Sequence, residues 1–78
     1  MEHDVLYAKF TATTAASVTI GPDDRGTIRI VKDDAVHERP LLFPAILRFE
    51  NHDTVQIQDR AKLDRIMEQQ GYARFSLA

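Results

Sequence analysis

The chain has 78 residues, with 10 Lys and Arg against 12 Asp and Glu, a formal net charge of -2, 44% apolar residues and no cysteine. Domains typically run to about 100 to 150 residues, so residues 1–78 have room for one compact core and read as a single small domain. The composition excludes disulfide frameworks, thiol chemistry and cysteine-bound zinc, and its mild acidity speaks against a broad phosphate-binding surface and against DNA mimicry alike.

The N-terminus, Met1-Glu2-His3-Asp4, lacks the basic start of a signal peptide, and no apolar run approaches the ~18 residues of a membrane span. The expectation is a cytoplasmic protein whose mature form is the whole chain, without membrane contact. Nine of the apolar residues are alanine, which leaves a thin supply of large core side chains and makes help from a partner plausible.

From Val5 to Ala12, Leu6, Ala8, Phe10 and Ala12 alternate with Tyr7, Lys9 and Thr11, which predicts a half-buried strand with the first set inward. Ser17 to Ile20 and Thr27 to Val31 alternate in the same way, with Val18, Ile20, Ile28 and Ile30 as inward residues. Gly21-Pro22-Asp23-Asp24-Arg25-Gly26 between them is turn chemistry, so these two runs form a hairpin. Lys32 to Arg39 is polar and reads as a connecting loop. Pro40-Leu41-Leu42-Phe43-Pro44 follows, three large apolar residues between prolines that bar helix and central-strand ladders.

Ala45, Leu47 and Phe49, then Val55 and Ile57, form a second alternating pair around the turn Asn51-His52-Asp53. Asp59 is placed to cap a helix over Arg60 to Gln70, whose Leu63, Ile66 and Met67 make one apolar stripe, and Gly71 stops it. Tyr72 to Leu77 alternates again, with Ala73, Phe75 and Leu77 inward. The order β-β-β-β-β-α-β predicts an α+β fold, a mainly antiparallel sheet of five to six strands with one helix packed on one face.

Each histidine precedes an acid, in His3-Asp4, His37-Glu38 and His52-Asp53. Neighbours on a strand point to opposite faces, and no ligand spacing makes several side chains converge, so these read as loop histidines and no metal or cofactor is assigned. Asp33, Asp34, His37 and Glu38 crowd one polar segment without the pocket that acid-base chemistry needs. Ser17 and Ser76 lie in strands and the three glycines are scattered, so neither a nucleophile turn nor a phosphate loop is present and no catalytic residue is named.

Three readings of function follow. The first is a non-catalytic binding or regulatory module that contacts another protein or a second copy of itself through a sheet edge or through Leu41, Leu42, Phe43 and Ile46. Exposed, that proline-bracketed segment is a contiguous apolar patch, and Ile46 and Val31 add aliphatic side chains to outer faces. The second is a small-molecule site lined by Phe10, Phe49 and Phe75 with His37 at its mouth. A chain this short can hold it only at a dimer interface. The third is single-stranded nucleic acid on an outer face carrying Tyr7, Lys9, Arg29, Arg48 and Arg74, a partner that the acidic balance disfavours.

Overall fold

The structure is a computed structural model that describes residues 4–77. In chain order its elements are β1 (Asp4–Phe10), β2 (Thr14–Ile20), β3 (Arg25–Lys32), β4 (Ala35–Leu42), β5 (Ala45–Arg48), β6 (Thr54–Ile57), α1 (Arg60–Gln69) and β7 (Ala73–Leu77). Five strands form one antiparallel sheet in the order β4-β3-β2-β1-β7, and β5 and β6 form a separate two-stranded sheet. The fold is α+β, as the alternation predicts.

The core lies between one face of the large sheet and a second layer made of the β5–β6 hairpin and α1. Val5, Tyr7, Val18, Ile20, Ile28 and Leu41 enter it from the sheet, Leu47, Phe49 and Ile57 from the hairpin, and Leu63 and Met67 from the helix. The Asp59 carboxylate accepts from the Lys62 amide at 2.9 Å and caps α1. At the other end Gly71 adopts φ 84, and the Gly71 and Tyr72 amides donate to the Glu68 and Met67 carbonyls. That turn delivers Tyr72 edge-on to Phe49, with ring centroids 6.3 Å apart.

The Gly21–Gly26 turn joins β2 to β3 as expected, closed by the Gly21 amide on the Arg25 carbonyl at 2.8 Å. Gly26 has a further role, because a Cβ there would collide with the Thr19 carbonyl oxygen of the neighbouring strand. Arg60 ties the helix start to this turn by donating to the Gly21 carbonyl at 2.8 Å.

Three expectations need correction. The segment Lys32 to Arg39 is not a loop: Asp33 and Asp34, with φ of 52 and 64, make a two-residue turn and the chain returns as β4. Aspartate tolerates the left-handed region that such a turn requires. The strand carries no apolar alternation because it lies at the sheet edge, exposed on both faces along most of its length, and Pro40 is acceptable there.

The second correction concerns phase. In β1 it is Val5 and Tyr7 that face the core, while Leu6, Ala8 and Phe10 face away. In β7, Arg74 lies opposite Tyr7 and reaches the helix, so Phe75 is on the far face. Third, the first strand ends at Phe10, and a Thr11–Thr13 turn leads into β2, with the Thr11 amide donating to the Thr14 carbonyl at 2.8 Å.

Candidate functional site

One face of the five-stranded sheet is covered by the second layer and the other is not. Strand register assigns the uncovered face row by row. Leu6 lies between Thr19 and Phe75, and Ala8 between Ser17 and Ala73. Phe10 pairs with Ala15, which pairs in turn with Val31, and Arg29 pairs with Glu38. The small side chains of β2, Ala15, Ser17 and Thr19, let the centre of this face sink into an open hollow of about 630 Å³.

Phe10 edges the hollow, and further apolar side chains stand exposed elsewhere on the same face. Phe10 is 76% exposed, Phe75 51% and Val36 52%, and Leu42 stands 58% exposed at the end of the adjoining edge strand. The Arg29 and Glu38 side chains meet at 3.3 Å, so this ion pair over the hollow is closed within the chain. The open face thus leaves four large apolar side chains at least half exposed. The sequence carries a matching signal. Val5-Leu6-Tyr7-Ala8 is a continuous apolar run that offers apolar side chains to both faces, so alternation alone does not say which half faces the helix.

A second, smaller recess of about 320 Å³ lies where the β1–β7 edge meets α1, lined by Tyr7, Asp64, Glu68, Tyr72 and Arg74. The Tyr7 hydroxyl donates to Asp64 Oδ1 at 2.8 Å and Arg74 Nε donates to the same oxygen at 2.9 Å. Burial raises the Tyr7 phenol above its usual value near 10, and the bond to Asp64 adds to the shift. The arrangement is a clamp between strand and helix: Asp64 is engaged by both partners, and the phenol is held protonated.

The residues singled out from sequence are dispersed. Leu41 is 1% exposed and belongs to the core, and Phe43 packs partly against it, so only Leu42 and Ile46 of that segment stand in solvent. The contiguous patch is thereby divided, because strand alternation turned Leu41 inward as Leu42 turned outward. Tyr7, Lys9 and Arg74 lie on the helix side of the sheet, Arg29 on the open side and Arg48 on the small hairpin, so the five do not share a face. Lys9 donates to the Gln70 carbonyl at 2.9 Å and lies over the Tyr72 ring, closing the helix C-terminus. Arg48 is 3.4 Å from His52.

Phe49 is buried in the core while Phe10 and Phe75 project from the opposite face, and the three cannot line one pocket. His37 is exposed on β4 opposite Ile30, and His3 lies outside the described residues. Among the described residues no group of three His, Asp or Glu converges on a point that could hold a metal, and no helix is long and apolar enough to cross a membrane. Comparison with protein-family models, curated proteins and solved structures finds no match to the chain, so its own surface chemistry carries the functional reading.

Proposed function

We propose that the protein is a non-catalytic binding or regulatory module that works through protein-protein contact, and that its contact surface is the open face of the five-stranded sheet. The observation that carries this reading is that one sheet face exposes Phe10, Phe75, Val36 and Leu42 and holds a hollow, edged by Phe10, with a floor of small side chains. The surface replaces the Leu41–Phe43 segment as the site, retaining only Leu42 from it. The floor offers the hydroxyls of Ser17, Thr19 and Thr27, and the charged Arg29 and Glu38 beside it are paired with each other, which suits a protein surface better than a charged metabolite.

A photo-activated cross-linking residue placed at Phe10, and separately at Gln56 on the small hairpin, tests this in cells. The expected result is a defined protein adduct from position 10 and none from position 56. Equal adducts from both positions, or none from either, would reject the open face as the contact surface.

A further inference from the structure

Building on the reading of the open face as a contact surface, we infer that its occupant is a second copy of this chain, packed sheet against sheet about a two-fold axis running close to β2. Such an axis lays the β3–β4 half of one copy over the β1–β7 half of the other, at the same height along the strands. The register then fixes the facing residues. Phe10 of each copy meets Val31 of the other, Phe75 meets Pro40, and Asp4 meets Arg25.

Each match is chemically favourable. Bulky side chains on one half face smaller ones on the other, so each Phe10 becomes a knob over the opposing hollow. Asp4 and Arg25 are exposed with no ion-pair partner among the described residues, and the axis joins them twice across the interface. The other charged pair on the face, Arg29 with Glu38, is already neutralised within each copy.

The dimensions suffice. Five strands about 4.8 Å apart and about 20 Å long present roughly 500 Å² of flat projection, or about 1,000 Å² for two copies before side-chain relief is counted, the size at which specific interfaces begin. The continuous apolar run of β1, with Val5 and Tyr7 on the core side and Leu6 and Ala8 on the open side, is explained by cover on both faces.

Light scattering on the full chain after size exclusion reads the outcome, with circular dichroism as the check on folding. The wild type is expected at twice its 8.9 kDa mass. Phe10→Asp and Asp4→Lys, both at exposed positions, are expected to weaken the dimer at least about tenfold, and Asp4→Lys with Arg25→Glu to restore it. Ile46→Asp, on the small hairpin, should leave the mass unchanged.

A wild type that stays at 8.9 kDa at millimolar concentration overturns the inference. So does a dimer that survives Phe10→Asp, one that dissociates with Ile46→Asp, or a charge-swapped double variant that remains monomeric. A monomer whose position-10 cross-linker still captures a different protein sinks the self-association alone and leaves the contact surface standing. A monomer with no adduct removes both.

Discussion

The two faces of the five-stranded sheet are made by the same strands in strict alternation, and they have opposite fates. On one, Val5, Tyr7, Val18, Ile20, Ile28 and Leu41 are buried under the helix and hairpin. On the other, one residue away along each strand, Phe10, Val36, Leu42 and Phe75 are at least half exposed. Apolar content does not separate the faces; the reach of the second layer does. Even on the covered side, Ile30 is 37% exposed, because the ten-residue helix and the short hairpin do not extend over that end of the sheet. A domain this small can spare only enough side chains to cover one face, so the second apolar face is left open.

The sharpest way to break this contrast is in the covered layer. Leu63→Ala removes a side chain with 0% exposure at the centre of the core, and a loss of about 2 to 5 kcal/mol is expected in urea denaturation, enough to unfold much of a domain of this size. A loss below 1 kcal/mol would show the helix to be loosely seated. Gly26→Ala should cost about 1 to 3 kcal/mol, since the new Cβ meets backbone at Thr19 and the strands must part. Its melting temperature, compared with that of an alanine at exposed Thr27, checks whether the cost belongs to the close approach.

The clamp at the sheet-helix seam gives a smaller, pH-dependent effect. With the folded Tyr7 phenol titrating above its unfolded value near 10, its stabilising contribution is complete below about pH 10 and is lost as pH rises through the folded value. Tyr7→Phe should cost about 0.5 to 1.5 kcal/mol at neutral pH and make the alkaline fall in stability shallower, leaving the share contributed by Tyr72, which burial also shifts upward. Urea midpoints at pH 7 to 11 read both; an unchanged alkaline slope would remove Tyr7 as its source. Smallest of all, Phe10→Ser on the open face should change folding stability by no more than about 0.5 kcal/mol in dilute solution. A larger loss there would mean that the open face already supports the monomer.

How much of this was readable in advance varies by element. The β2–β3 hairpin, the capped helix and the final paired strand follow from local chemistry: turn residues at Gly21 to Gly26, a carboxylate at Asp59, and glycine after the last helical turn. β4 was hidden because an edge strand exposed on both sides has no apolar period to detect. Of the candidate site, Val31 reads from sequence as an outward aliphatic and Leu42 as part of the proline-bracketed apolar segment. Phe10 reads from sequence as an interior residue because β1 is apolar in both phases, and a shift of one residue exchanges its faces.

The sequence by itself determined the α+β class, the Gly21 to Gly26 turn, the helix with its caps and the strands other than β4, because these depend on contacts a few residues apart. Only the tertiary structure decided which half of β1 and β7 faces inward, that Tyr7 and Arg74 meet on Asp64, and that Arg29 stands on the opposite side of the sheet from Lys9. Those outcomes depend on where the helix and hairpin settle, and with two nearly equal apolar faces on offer, no local pattern distinguishes the covered one from the one left open.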